Sequence, residues 1–201
     1  MSTTVTEGQA QPIPLNPPRK LWTRAECSTL EAARLLDVQH LELIEGELID
    51  KMGKKRPHVN SLSLLLDWLK GAFGNNFVNP EAPIDVAPED NPTNEPEPDI
   101  IVLKRDLANF VSGNPRPEDL HLVVEIADTT LRFDLTTKAA LYARAGIVEY
   151  WVLDVAGKRL IVHRDPRQGV YSSIVEFTEQ ESVTPLAAPQ ARFRVGDAFP
   201  A

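Results

Sequence analysis

One stretch, residues 96–151, constrains the chain more than any other. It opens as PEPDIIVLK, crosses a turn-rich gap, and continues as HLVVEIADTTLRFDLTTKAALYARAGIVEYW. The runs Ile-Ile-Val-Leu and Leu-Val-Val read as buried strands. Asp99 opens the first run and Glu125 closes the second. An ionised carboxylate in such a strand is costly to desolvate unless something pairs with it. Two carboxylates at the ends of neighbouring strands, with a lysine nearby, can share that burden with a divalent cation.

Lys138 is that lysine. Asp134 reads as the N-cap of a helix running to about Gly146, where glycine suits the stop. On a wheel of about 100° per residue, Leu135, Leu141, Tyr142 and Ala145 form one apolar stripe with Lys138 in its middle. One reading is a snorkelling lysine whose stem covers apolar surface. The other is an ammonium aimed at Asp99 and Glu125, and those companion carboxylates favour it.

Upstream, residues 1–20 are rich in Pro, Thr and Gln and read as a flexible arm, leaving 21–201 as a single domain. Ser28-Thr-Leu-Glu31 has the form of a capping box, which predicts a short helix from Thr29 to about Leu36. LELIEGELID (41–50) reads as a hairpin turning at Glu45-Gly46. With a two-residue loop, Glu42 and Glu47 share a face: either a solvated one or one that adds a carboxylate to the site. Residues 54–73 begin with the basic cluster Lys54, Lys55 and Arg56, where phosphate contacts are expected. An amphipathic helix follows, with Val59, Leu62, Leu66, Leu69 and Phe73 at helical spacing and Gly71 and Gly74 at its end. His58 near its start is a candidate site residue, although a lone histidine there is more often a cap or a surface residue.

Strands are expected at 77–86, 99–103 and 121–127, then at 149–155, 159–164 and 170–177, with an edge strand or strap at 191–195. Strand, helix and strand across 121–155 imply a parallel pair joined by a right-handed crossover. The sum is an α/β (α+β) domain: a mixed β-sheet flanked by helices, with an N-terminal hairpin and C-terminal antiparallel strands.

Composition narrows the function. A single cysteine, Cys27, excludes an intramolecular disulfide and a cysteine-based zinc site, and points to a reducing, cytoplasmic setting. No apolar run approaches the ~18 residues of a membrane helix, and residues 1–20 lack the apolar segment of a secretory signal. The net charge of −8 argues against a general nucleic-acid coat but leaves room for a local metal site beside a basic strip.

Phosphodiester hydrolysis fits these residues. Mg²⁺ takes oxygen ligands and keeps several waters, so Asp99, Glu125 and the carbonyl of Ile126 would suffice to hold it. Lys138 would orient the attacking water or stabilise the phosphorane-like charge. Beside two carboxylates it would stay protonated, which excludes it as an efficient base.

Pro98-Asp99, Glu125 and a following lysine resemble the PD-(D/E)XK nuclease motif. More closely, ELIEGEL, EPDIIVL, LVVEIADTTLRFD, the lysine and LYARAGIVEYWVLD resemble the Uma family of bacterial restriction-endonuclease-like proteins, over roughly residues 22–200. The resemblance implies a restriction-endonuclease-like core, Mg²⁺ or Mn²⁺ dependence and often a homodimer; the Asp99, Glu125 and Lys138 trio makes a Mg²⁺-dependent DNA endonuclease the first expectation for function. Ala127 stands where the superfamily has its lysine; in the Uma family that lysine has moved to the next helix, here Lys138. Against an endonuclease stand two alternatives: a non-catalytic nucleic-acid- or protein-interaction module with the nuclease fold, or a buried ion-pair network with no chemistry.

Overall fold

The computed structural model describes residues 19–37, 41–51 and 55–200. Most of the expected N-terminal arm and Lys54 of the basic cluster lie outside the described residues.

Helix α1 (Arg24–Ala32) begins five residues before the expected start. The working capping box is Thr23 with Glu26: the Thr23 hydroxyl accepts from the Glu26 N–H, and the Glu26 carboxylate accepts from the Thr23 N–H. Ser28-Thr-Leu-Glu31 has the same spacing but falls inside the helix that Thr23 has already started. Strands β1 (Leu41–Ile44) and β2 (Glu47–Asp50) form the expected hairpin, with Ile44 opposite Glu47 and Glu42 opposite Ile49. Glu45 and Gly46 both have positive φ, as a two-residue turn of this kind requires. A Cβ on Gly46 would also meet the Leu21 side chain at 2.7 Å.

Helix α2 (Arg56–Phe73) has Pro57 in its first turn and ends at Gly74, while Gly71 lies within it. Its buried stripe is His58, Ser61, Leu65 and Leu69. Val59, expected on that stripe, is exposed, because the packed face is rotated by about one residue.

The main sheet has six strands in the order β3-β4-β5-β6-β7-β8. These are β3 (Val78–Pro80), β4 (Ile100–Leu103), β5 (Leu120–Ala127), β6 (Glu149–Asp154), β7 (Arg159–Arg167) and β8 (Val170–Thr178). The strand expected over 77–86 is regular only at β3; Pro80 and Pro83 lack the N–H groups a longer ladder would use. β5 and β6 pair in parallel, as the crossover requires, and the other neighbours are antiparallel. The 191–195 segment is a strap: β9 (Ser182–Val183) and β10 (Phe193–Arg194) make a separate two-stranded sheet over the α2 side.

The crossover is one broken helix, α3. It comprises an α-helical turn Leu131–Phe133, a π-helical turn Asp134–Lys138 and an α-helix Ala139–Arg144. Gly146 follows it at φ 76°, a conformation natural to glycine. The expected N-cap at Asp134 is a correction: Asp134 sits inside the helix, and its side chain is buried.

Side chains alternate between the two faces of the sheet. Val123 and Ala127 of β5 pack with Leu141 and Tyr142 of α3. Leu122, Val124 and Ile126 pack with Leu65 and Leu69 of α2. Each face thus owns its own core. Among the described residues no helix is long and apolar enough to cross a membrane.

Candidate active site

At the C-terminal end of β5 the two layers converge on a cleft of about 740 Å³. Asp99, just before β4, and Glu125, on β5, both line it, with Lys138 from α3, His58 from α2 and Glu42 from β1. All five are buried, at 4–9% exposure.

Lys138 is the hub. Its ammonium lies 2.9 Å from Glu125 Oε1 and 2.9 Å from Glu42 Oε1. Burial alone would lower its pKa, but Glu125, Glu42 and Asp134 around it raise it above the ordinary lysine value. Lys138 is therefore a fixed cation, and the snorkelling alternative fails. Glu125 Oε1 also accepts from the Tyr142 hydroxyl at 3.0 Å. Burial pushes the Glu125 carboxyl well above the usual carboxylate range; Lys138 opposes this, and the nearby acids Asp134, Asp99 and Glu42 add to it.

Asp99 is anchored differently. Its Oδ2 accepts from the backbone N–H of Ile126 at 2.8 Å, so a side chain from the entry of β4 takes a donor at the end of β5. The Ile126 N–H, rather than its carbonyl, is what the geometry ties to Asp99. The Nε2 of His58 stands 3.2 Å from Asp99 Oδ1, outside hydrogen-bonding alignment.

Two further groups join the site in roles the sequence pattern does not give them, a helix cap for Asp134 and an apolar stripe for Tyr142. Asp134 is buried beside Lys138, and the Thr130 hydroxyl donates to its Oδ2 at 2.6 Å. Burial raises its pKa to about 6, with Lys138 and Thr130 pulling the other way. Asp134 stands four residues before Lys138, so both fall on the same face of the helix, and both are buried in its π-helical turn; the N-cap signal of Asp134 masks this in the sequence. Tyr142 lies on the apolar stripe, and its position four residues after Lys138 puts its hydroxyl beside the same carboxylate.

The remaining candidates divide. Glu42 belongs to the site, where its Oε2 also accepts from the Glu97 N–H at 3.3 Å. Glu47 shares Glu42's face of the hairpin but lies at the turn end, exposed and paired with Arg19. Lys55 lines the cleft and is exposed; Arg56 is exposed beside it at the start of α2. Among the described residues lining the cleft, carboxylates outnumber the lysines Lys51, Lys55 and Lys138, so the groove is acidic rather than basic. Among the described residues no three His, Cys, Asp or Glu side chains group into a complete metal cage.

The mixed sheet with helices on both faces and a charged cleft at its strand ends is the architecture expected of a restriction-endonuclease-like core. A solved structure of "a putative nuclease belonging to DUF820 from Anabaena variabilis ATCC 29413" is similar to this chain at a TM-score of 0.64 and 17% identity, over 84% of this chain and 95% of that one. The chain belongs to the Uma2 family, described as "Putative restriction endonuclease", whose sequence model matches residues 30–196. No curated protein matches it.

Proposed function

We propose that this protein is a divalent-metal-dependent endonuclease that hydrolyses phosphodiester bonds in DNA. One observation carries the reading: Glu42, Asp99, Glu125 and Asp134 are buried around a single buried lysine, Lys138. If all four were ionised, one ammonium would leave the cluster strongly negative. Such a cluster is stable only if protons or cations balance it, and a cleft open to solvent admits a cation. Family membership supports the same chemistry.

The donor set fits a small dication. Asp99 and Glu125 supply oxygens, with the Ile126 carbonyl as a third ligand and waters for the rest. Bound there, Mg²⁺ or Mn²⁺ would lower the pKa of a water and neutralise charge on the scissile phosphate. The chain's own residues do the remaining work. Lys138 holds its ammonium, always protonated, toward the reacting phosphate. Tyr142 and Lys138 together fix one oxygen of Glu125 and leave its orientation determined. Lys55 and Arg56 meet the phosphodiester backbone at the cleft mouth, and Lys54 continues that cluster in sequence. A homodimer belongs to the same proposal, and light scattering on the purified chain tests it.

The acidic lining favours a second reading, an interaction module that keeps the fold. Nicking of supercoiled plasmid separates the two. Wild type should nick only with Mg²⁺ or Mn²⁺, and Glu125→Gln should not. Absence of nicking by wild type with either ion would leave the interaction module.

A further inference from the structure

We infer that His58 is a direct ligand of the cation in this cleft, and that its nitrogen makes the site prefer a first-row transition dication, Mn²⁺, over Mg²⁺. The inference rests on the metal-bearing part of the proposed function and names the ion and a ligand.

Three observations meet at this imidazole. It is 9% exposed, on the first turn of α2, and it lines the cleft. Its Nε2 has no hydrogen-bond partner among the described residues. A buried polar nitrogen left so costs about 1–3 kcal/mol, which a sequence retains only where something else satisfies it. Thirdly, Nε2 lies 3.2 Å from Asp99 Oδ1 without the alignment of a hydrogen bond. A histidinium–aspartate ion pair would aim its N–H along that line. Two lone pairs directed at one ion would not. Neighbouring ligands about 2.1 Å from an octahedral ion stand about 3 Å apart, close to the separation seen here.

The surroundings hold both groups in place. Pro57 pre-forms the turn that carries His58. Asp99 is held from behind, through the Ile126 N–H on Oδ2, which turns Oδ1 toward His58. With Asp99 and Glu125, His58 makes three side-chain donors; among the described residues they do not stand as a closed three-residue cage before the ion is bound, and waters complete the shell of such ions. Carboxylate and water suit Mg²⁺ and Mn²⁺ alike, whereas imidazole shifts the balance toward the transition metals.

The test uses the full chain with Mn²⁺ and Mg²⁺ as probes. Pulsed electron paramagnetic resonance of the Mn²⁺-loaded protein should show modulation from one directly bound imidazole nitrogen. Calorimetry should give Mn²⁺ binding at least ~10-fold tighter than Mg²⁺. His58→Gln should abolish the nitrogen signal and weaken Mn²⁺ by about 10–100-fold, with Mg²⁺ changed only a few-fold. Mn²⁺ bound without nitrogen modulation in wild type overturns the inference whether or not the variant folds; so does the lack of saturable Mn²⁺ binding. Plasmid nicking on the same preparations is read separately. Nicking without nitrogen coordination removes His58 and leaves the nuclease. Nitrogen coordination without nicking removes the nuclease and leaves His58.

Discussion

Two buried glutamates, one at each end of the crossover from β5 to β6, meet opposite fates. Glu149, at the start of β6, is fully buried, yet its charge is answered in full. Arg164 donates to its Oε1 at 2.9 Å and 2.5 Å, the Trp151 indole at 3.0 Å, and the Leu186 N–H to its Oε2 at 2.7 Å. Glu125, on β5, shares one lysine with Glu42 and lies near Asp99 and Asp134. Glu149 is closed off by an arginine fork and a strap; Glu125 borders a cleft. The difference teaches that burial of charge alone says nothing about function. The informative quantity is whether the charge is balanced by groups of the chain itself.

The largest expected effect falls on the unbalanced side. Glu125→Gln should lower plasmid nicking about 10³-fold or more, while urea unfolding stays within about 1 kcal/mol of wild type, because Glu42 remains on Lys138. Full activity in this variant would erase the contrast.

On the balanced side the pattern should reverse. Arg164→Met strands a buried carboxylate and should cost about 3–5 kcal/mol of stability, a fall in Tm of roughly 10 °C for a chain of this size. Activity per folded molecule should not change. A thermal melt and a nicking assay on one preparation check both halves.

Asp134 sharpens the comparison through pH. Burial lifts its folded pKa to about 6 from an ordinary 3.8. The native state therefore holds a proton that the unfolded chain has released between pH about 4 and 6, so stability declines as pH rises through that window. Two pKa units correspond to up to about 3 kcal/mol. Asp134→Asn should be more stable than wild type at pH 7.5, with the gain vanishing toward pH 4. Urea midpoints with a chelator present measure this, and a wild-type profile flat over the window would contradict it.

The smallest effect is expected at Glu47. It is exposed on Glu42's side of the hairpin and pairs only with Arg19 among the described residues. Glu47→Ala should shift stability by less than about 0.5 kcal/mol and leave nicking unchanged. A clear loss of nicking would widen the site to the turn of the hairpin.

The sequence alone determined the hairpin at Glu45-Gly46, the strands of the main sheet beyond β3, the parallel pairing across the crossover, and the burial of Asp99, Glu125 and Lys138. These follow from local chemistry: continuous apolar runs of strand length, a glycine at a positive φ, a strand–helix–strand order, and charges too costly to bury without a purpose. Tertiary structure decided the rest. Thr23 rather than Ser28 starts α1, because two equal capping signals compete and only packing chooses between them. The rotation of α2 buries His58 and exposes Val59, since the helix settles by its contacts with the sheet and not by its most regular stripe. Glu42 and Glu47 share a face in sequence, but only Glu42 lies within reach of Lys138. Asp134 is buried inside α3 rather than capping it, because the helix starts at Leu131, upstream of the capping signal that Asp134 offered. Local patterns record which groups a chain must bury; which groups they are buried against is a long-range matter that the folded sheet settles.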